Sequence, residues 1–407
     1  MHYQIEKTEK MKKHILISGA GIAGLTAANF LAKQGHTITI IDRSTSFSKA
    51  GFLISLKSFG VRIMDELELT QKLQAESSPS ETVHFIDSNE EIIRSINYDK
   101  MNENIERSVL ISRGGLHHVL YEAINNDVNI LFDSTISQLE EKAGKTIITL
   151  SNGDTIVVDL VVVSEGLRSV TRERYFNDCQ LEDFNMLYMG GKLKHIHSYQ
   201  VGVFKIYIDV DKMLSIYPIA ADEIAVQCYI HSTQDIGTIK NNASLILKSS
   251  FPDYDPEVKK LLDDLLDNGL VFVDKMGMIN ASDLVSGNLV LLGDAGYCPT
   301  ALSGMGASLS IFGAKALAHF IAEYPDDILK ACEKYNRLMQ PIIKKFQTNA
   351  KNNAASFIPK DKADLEKFVK KFRSASDKDV QKIMTEPIVL TKDQENFIIN
   401  QISHEIQ

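Results

Sequence analysis

The stretch that decides the fold runs from His14 to Asp42 and reads HILISGAGIAGLTAANFLAKQGHTITIID. Apolar and β-branched residues at its two ends predict buried strands over His14–Ser18 and Thr37–Asp42. The small and apolar residues between them predict a helix over Ile22–Gln34. A strand, a helix and a second strand in this order form a βαβ unit, whose two strands are parallel. The stretch therefore predicts an α/β fold built on a parallel sheet.

The turn between the first strand and the helix carries the glycine pattern G-x-G-x-x-G at Gly19, Gly21 and Gly24. The first glycine permits a tight turn, the second lets a pyrophosphate approach the backbone, and the third lets helix and strand pack closely. The helix start presents unpaired N–H groups to the phosphates. Asp42 ends the next strand, close to the ~20-residue spacing at which an acid binds a ribose hydroxyl. These residues, with Ala23, predict a site for an ADP-containing dinucleotide, either FAD or NAD.

Composition narrows the class of protein. The chain has 407 residues, 44% of them hydrophobic and 24% charged, which is typical of a folded globular protein and excludes general disorder. A net charge of -9 opposes a broad nucleic-acid surface. The four cysteines include no C-x-x-C pair, so neither a zinc site nor a disulfide framework is expected. The apolar run after Lys12-Lys13 is explained by the strand, turn and helix, so we expect a soluble, cytoplasmic protein without an export signal.

Two more motifs follow predicted strands. The strand Leu160–Ser164 runs into EGLRSVTR at 165–172, and the strand Leu289–Leu292 runs into GDAGYCP at 293–299 and SGMGA at 303–307. With the first glycine motif, this order resembles the single-component FAD-dependent aromatic monooxygenases, the p-hydroxybenzoate hydroxylase family. That family has G-x-G-x-x-G, then D-G-x-x-S-x-x-R, then G-D-A followed by a proline and a glycine-bearing helix start. The resemblance extends from about residue 14 to about residue 325.

The resemblance implies tightly but non-covalently bound FAD. Asp294, after Gly293, is expected to accept hydrogen bonds from the ribityl hydroxyls, and Pro299 to line the flavin face. Gly304 and Gly306 are expected to let the backbone approach the ring, and the helix that starts near Ala307, after Met305, to direct its positive end at the ring. The chemistry is centred on the flavin, so no side chain is assigned as a catalyst.

Three further positions carry a role by resemblance. Arg113 matches an arginine that contacts the ribityl or phosphate region, although a surface arginine near a helix start explains it equally well. Arg43 is a candidate for stacking on the adenine. Glu165 stands where the family has aspartate, which keeps the carboxylate and moves it by one methylene, whereas Ser169 and Arg172 match.

The resemblance also implies a reaction. NADPH or NADH binds transiently and donates a hydride to FAD, dioxygen adds at the flavin C4a, and the hydroperoxide transfers one oxygen to an aromatic substrate. The absence of Trp excludes the W-x-W flavin halogenases. The size of the chain favours the branch that modifies antibiotics or polyketides, such as tetracyclines. Two alternatives remain: an FAD-dependent oxidase or reductase of an isoprenoid-like substrate, and a non-catalytic flavin-binding sequestrant.

The domain organisation follows from the same patterns. We expect a Rossmann-type FAD-binding domain, an inserted antiparallel sheet that binds substrate, and C-terminal helices. Aromatic and apolar strand positions suit a planar substrate, although core packing explains each one singly. We expect no metal site and a monomer or weak dimer. The predicted ranges are 1–76, 106–175 and 281–330 for the FAD-binding domain, 77–105 and 176–280 for the substrate domain, and 331–407 for the helices; the substrate candidates are Met189, Phe204, Tyr207, Tyr217 and Tyr229.

Overall fold

The computed structural model describes residues 12–48, 51–101, 107–125, 127–354 and 357–380. The strands are β1 (His14–Ser18), β2 (Thr37–Ile41), β3 (Leu53–Lys57), β4 (Thr82–Ile86), β5 (Ile92–Asn97), β6 (Ser108–Ser112), β7 (Asn129–Leu131), β8 (Ile136–Lys142), β9 (Lys145–Leu150), β10 (Thr155–Val158), β11 (Leu160–Val163), β12 (Cys179–Lys194), β13 (Val203–Asp209), β14 (Lys212–Ala220), β15 (Glu223–His231), β16 (Leu270–Ala281), β17 (Val285–Ser286) and β18 (Leu289–Leu291).

The helices are α1 (Ile22–Lys33), α2 (Phe59–Glu66), α3 (Thr70–Ala75), α4 (Tyr98–Met101), α5 (Arg113–Tyr121), α6 (Val170–Tyr175), α7 (Ile236–Asn241), α8 (Ala243–Ser250), α9 (Pro256–Asn268), α10 (Asp294–Tyr297), α11 (Gly306–Glu323), α12 (Ile328–Ala354) and α13 (Lys362–Ser374). A 3-10 turn covers Ala301–Ser303. Among the described residues, no helix is long and apolar enough to cross a membrane.

A six-stranded sheet with the order β17-β18-β11-β1-β2-β7 carries the glycine turn. Its strands are parallel except β17, which pairs antiparallel with β18 at one edge. The carboxyl ends of β1, β11 and β18 therefore lie side by side, and each leads into one of the three predicted motifs. This is the edge at which open parallel sheets bind ligands. The predicted α/β class with a parallel sheet is confirmed.

A seven-stranded sheet with the order β16-β12-β15-β14-β13-β4-β5 forms the second layer, antiparallel except where β13 meets β4. Its outer face is covered by α7, α8 and α9. Its inner face packs with the two-stranded sheet of β3 and β6, the turn at Ala301–Ser303, and α12 and α13. The predicted antiparallel insertion and C-terminal helices are confirmed.

The apolar segment Thr155–Val163 divides at Asp159 into β10 and β11, which belong to different sheets. Asp159 accepts hydrogen bonds from the backbone N–H of His14 and from Lys145, and this fixes the break. The helix α12 runs from Ile328 to Ala354 with Pro341 inside it.

Candidate functional site

The glycine turn between β1 and α1 uses each glycine differently. Gly19 has a φ of +108°, a conformation that side chains disfavour, and a Cβ on Gly24 would lie 2.0 Å from the carbonyl oxygen of Gly19. A Cβ on Gly21, in contrast, would meet nothing within 4 Å. Gly21 caps α1 without a side-chain hydrogen bond, and the first turn of α1 contains no acidic residue. The open space above Gly21 is therefore lined by donors and suits a phosphate.

Asp42 braces this turn from the end of β2. Its carboxylate accepts hydrogen bonds from the backbone N–H of Ala20 at 2.8 Å and of Ser44 at 2.8 Å. Arg43, beside it, is exposed. Asp42 thus lies at the carboxyl end of β2, next to the glycine turn, as the fingerprint requires.

His117 on α5 contacts the same turn and is a residue that the sequence reasoning missed. Its Nε2 lies 2.5 Å from the carbonyl oxygen of Ala20, and its ring packs at 4.6 Å from that of Phe47. Burial lowers the pKa of His117, and the charge of Arg113 lowers it further. Because His117 is far from the glycines in sequence, this contact had no local signal.

Glu165 is the central acceptor of the second motif. Its carboxylate accepts hydrogen bonds from the hydroxyls of Ser18 (2.6 Å), Ser169 (2.7 Å) and Thr171 (2.6 Å), and from the backbone N–H of Thr171 (3.1 Å). These bonds join the end of β1 to the start of α6. The longer side chain that departs from the family pattern thus has a structural use in this chain.

Arg172, the last residue of the second motif, joins it to the third. Its guanidinium is 2% exposed and donates to the carbonyl oxygens of Leu167 at 2.9 Å and Ala295 at 3.1 Å. Two glycine contacts complete the connections. A Cβ on Gly24 would lie 2.7 Å from Ser164 Oγ, and one on Gly293 would lie 2.6 Å from the Cβ of Ala23. All three predicted loops therefore touch one another.

The third motif surrounds the start of α11. Gly306 lies beside Asp294 and Pro299: a Cβ there would be in ordinary van der Waals contact, 3.9 Å from both Asp294 Oδ1 and Pro299 Cδ. Met305 precedes α11 without a side-chain cap, and the first turn of α11 contains no acidic residue. Within this helix, no carboxylate therefore lies beside the backbone N–H groups of the first turn. Gly304 adopts the left-handed conformation with a φ of 60°. A second positive helix end thus points toward the same region as Asp294.

Arg113 connects the loops to the inner face of the seven-stranded sheet. Its backbone N–H donates to Phe52 at 2.8 Å, and a Cβ on Gly51 would lie 2.9 Å from the Cβ of Arg113. Burial raises the pKa of Asp294 and of Tyr188, and in both cases the charge of Arg113 opposes the rise. Arg113 thus lies within electrostatic reach of the loops and of the sheet.

Aromatic side chains gather where Phe52 meets the inner face. Phe52 packs edge-on against Tyr188 at 4.5 Å, and Tyr188 stacks on Tyr229 at 4.9 Å. Phe357 packs edge-on against Tyr229 at 5.0 Å, and Gln227 donates from Nε2 to the Tyr229 hydroxyl. The Gln227 amide oxygen has no hydrogen-bond partner among the described residues. This face is apolar and aromatic, with a few buried polar groups.

The five strand positions considered for substrate divide between the two faces. Phe204, Tyr217 and Tyr229 lie on the inner face, whereas Met189 and Tyr207 pack under α7–α9 on the outer face. Side chains alternate along a strand, so neighbours of opposite parity point to opposite layers. For Met189 and Tyr207 the core-packing explanation is the correct one.

The donor set fits a dinucleotide with a flavin ring. The open glycine position at Gly21 and two helix starts without acidic residues suit phosphates and the electron-rich edge of a flavin. Gly21 and the start of α1 would hold the pyrophosphate, Asp42 the ribose, Asp294 the ribityl chain, and the start of α11 the ring. Among the described residues, no group of three metal-ligating side chains is present.

Comparison with known proteins agrees with this geometry. The family defined by an FAD binding domain matches residues 12–327 of the chain. The chain belongs to this FAD-binding family. It is similar to a flavin-dependent monooxygenase of Legionella longbeachae serogroup 1 (strain NSW150), with 25% identity over 360 residues, 86% of this chain and 91% of the relative. Our protein is thus a flavin-dependent monooxygenase that uses FAD and NAD(P)H, and the resemblance seen in its motifs is confirmed.

Solved structures share the fold of the monooxygenase. The crystal structure of tetracycline destructase Tet(51) has a TM-score of 0.78 at 19% identity, covering 94% of this chain and 100% of that chain. The structure of Klebsiella pneumoniae HpxO complexed with FAD and uric acid has a TM-score of 0.78 at 20% identity, covering 91% and 95% of the two chains. At this identity the likeness establishes the fold of the monooxygenase and leaves its substrate open.

We predict that Glu165→Ala destabilises the monooxygenase by about 3 kcal/mol, because removing this acceptor leaves several donors between β1 and α6 unpaired. Glu165→Gln, which keeps the shape and loses the charge, is expected to cost less. Urea unfolding followed by circular dichroism measures both. An unchanged midpoint for Glu165→Ala would show that these bonds contribute nothing to stability.

Proposed function

We propose that the monooxygenase hydroxylates a planar aromatic or polyketide-like small molecule, a class that includes tetracycline-like antibiotics. Three convergent loops support this, because Leu302 of the third loop packs in one cluster with Tyr188 and Tyr229 of the buried aromatic face. The charge of Arg113 also acts both on Asp294 of that loop and on Tyr188. A flavin held by those loops and a flat substrate on that face would lie on the two sides of Arg113. The contact between the loops and the aromatic face is the observation that carries the proposal.

Each part of the chain has a role in this proposal. Bound FAD supplies the redox chemistry, accepting a hydride from NAD(P)H and activating dioxygen so that one oxygen atom reaches the substrate. We assign the FAD-binding part to 1–76, 106–175 and 281–330, and the substrate-binding part to 77–105 and 176–280. The inner face of the sheet would exclude water from the ring during the reaction.

The polar groups on the inner face would orient the substrate. Burial raises the pKa of Tyr188 and Tyr229, so both hydroxyls remain protonated and can donate hydrogen bonds. The free amide oxygen of Gln227 accepts one. An aromatic ring with a hydroxyl or carbonyl substituent matches this mixture of stacking surfaces and neutral polar groups.

The test is a screen of the purified monooxygenase with NADPH or NADH. We expect a flavin absorbance spectrum, and NAD(P)H oxidation that accelerates at least about tenfold with an aromatic or polyketide substrate, as is common when a substrate triggers a productive cycle. Mass spectrometry of the product is expected to show one added oxygen atom, labelled when the reaction is run in ¹⁸O₂.

Other outcomes would overturn the proposal. A product that gains no oxygen, formed with consumption of NAD(P)H or dioxygen, would indicate an oxidase or reductase. A yellow protein that neither nicotinamide reduces would indicate a flavin-binding sequestrant. Isoprenoid-like alkenes serve as the contrasting substrate panel.

A further inference from the structure

His117 on α5 places both of its ring nitrogens against backbone carbonyl oxygens. Nε2 lies 2.5 Å from the oxygen of Ala20, and Nδ1 lies 3.2 Å from the oxygen of Ser48. A neutral imidazole carries a proton on only one nitrogen, whereas the imidazolium carries one on each. Because carbonyl oxygens only accept, the neutral ring leaves one of the two oxygens facing a nitrogen lone pair. The geometry therefore matches the imidazolium form of His117.

The surroundings of the ring oppose this form in the absence of a ligand. Burial has the largest effect and lowers the pKa of His117, while the two carbonyl contacts raise it. Arg113 on the same helix lowers the pKa further, and Asp42 at the end of β2 raises it. The ring of Phe47, 4.6 Å away, adds an apolar neighbour. An additional negative charge close to the ring would therefore favour the imidazolium.

The contact with Ala20 fixes a peptide plane at the centre of the glycine turn. The Ala20 carbonyl belongs to the peptide whose N–H is that of Gly21, and in a trans peptide these two groups point in opposite directions. A ring that holds the carbonyl therefore directs the Gly21 N–H to the other side of the turn. That N–H donates to none of the described residues. The turn is open at Gly21, where we place the pyrophosphate.

The contact with Ser48 fastens the segment that follows Asp42 to the same helix. Phe47 in this segment packs at 4.6 Å from the ring of His117 and at 4.5 Å from that of Tyr121. Asp42, at the start of the segment, is the residue that we assign to the ribose. The imidazolium thus holds the glycine turn with one nitrogen and this segment with the other, whereas the neutral ring donates to only one of them.

We propose that His117 is a positioning residue for FAD, whose imidazolium form orients the peptide between Ala20 and Gly21 toward the pyrophosphate. Hydrogen bonds in a chain polarise one another, so a cation that donates to the carbonyl strengthens the N–H on the far side of the peptide. FAD and the second proton of His117 therefore each bind more tightly when the other is present. This role rests on the placement of the pyrophosphate at Gly21 and holds whatever the substrate is.

The affinity for FAD is expected to depend on pH with a defined sign. In the FAD-free protein the pKa of His117 lies below its ordinary value, and bound FAD raises it. Between these two pKa values binding takes up a proton, so the affinity increases as the pH falls through that interval. We expect the Kd, from fluorescence titration of the FAD-free protein, to fall at least about fivefold from about pH 8 to about pH 6. Calorimetric titration in two buffers of different ionisation enthalpy is expected to show net proton uptake.

His117→Gln separates the charge from the hydrogen bond. Glutamine keeps an N–H donor and does not gain a proton, so this variant is expected to lose the pH dependence and the proton uptake. His118→Gln is the matched control, because His118 lies about 100° around α5 from His117, and we expect it to keep the wild-type profile. Asp294, whose pKa is raised by burial, is present in all three proteins, so its contribution cancels in the comparison.

The proton count in the wild-type protein does not depend on the folding of any variant. Net proton release on binding, or a Kd for FAD that stays constant with pH, would overturn the proposal. A His117→Gln protein that keeps the wild-type pH profile would overturn it as well, because a purely structural histidine would give that result. None of these outcomes affects the transfer of oxygen to a substrate, which has its own test.

Discussion

Gly21→Val is expected to fold normally and to lose FAD. A Cβ at Gly21 meets nothing within 4 Å, and the φ of -78° is one that valine adopts readily, so the protein itself accommodates the side chain. The valine would instead fill the space in which we place the pyrophosphate, and block the N–H groups at the start of α1. We expect FAD affinity to fall by at least about 100-fold, equivalent to about 3 kcal/mol. Absorbance at flavin wavelengths after reconstitution measures the loss.

Gly24→Ala is the matched contrast within the same motif. Its Cβ would lie 2.0 Å from the carbonyl oxygen of Gly19 and 2.7 Å from Ser164 Oγ, so the backbone must move. We expect this smaller substitution to lower the thermal midpoint of the protein, whereas Gly21→Val leaves the midpoint of the FAD-free protein unchanged. Normal flavin occupancy in Gly21→Val would remove the phosphate site from the glycine turn.

Asp294→Ala is expected to lose FAD without unfolding the protein. Burial raises the pKa of Asp294, which means that the fold disfavours its charged form and does not depend on it for stability. The carboxyl group lies beside the start of α11 and Pro299, where we place the ribityl hydroxyls. Losing a buried hydrogen-bond acceptor there is expected to cost about 2–3 kcal/mol, or roughly 30- to 150-fold in affinity. Fluorescence titration of the FAD-free protein with FAD measures it.

Asp159→Ala is the control for Asp294→Ala. Asp159 is also partly buried, but it lies at the amino ends of β1 and β11, away from the three loops. There it accepts hydrogen bonds from the backbone N–H of His14 and from Lys145. Its removal is expected to lower the thermal midpoint and to leave FAD affinity unchanged. If the two variants changed FAD affinity equally, the effect of Asp294 would be one of general stability.

The loop contacts explain why the resemblance in sequence translates into one site. Arg172 of the second motif donates a hydrogen bond to the carbonyl oxygen of Ala295 in the third. Gly293 must lack a side chain because Ala23 of the first motif occupies that space, and Gly24 packs against Ser164. Arg172 and Gly293 were expected only to match a pattern, whereas Gly24 was expected to let helix and strand pack closely. Their mutual contacts provide the reason for the pattern, since a change in one loop displaces its neighbours.

The faces of the seven-stranded sheet show where sequence reasoning ended. Alternation predicts that Tyr207 and Ile208 point to opposite faces, but it does not indicate which face meets the loops. That assignment depends on α7–α9, which follow the strands in sequence and pack on only one side. The division at Asp159 is similar, because a hydrogen bond from His14, 145 positions away, ends one sheet and begins another.

The amino-acid sequence alone determined the parallel βαβ core, the glycine turn, the order of the three motifs and, through them, the cofactor. These features depend on residues within a few positions of each other, where backbone freedom, strand periodicity and helix starts act locally. Only the tertiary structure decided that Glu165 and Arg172 serve to join loops and that His117 supports the glycine turn. Burial and pairing of these groups depend on segments that are distant in the chain, which meet only when the sheets and helices pack.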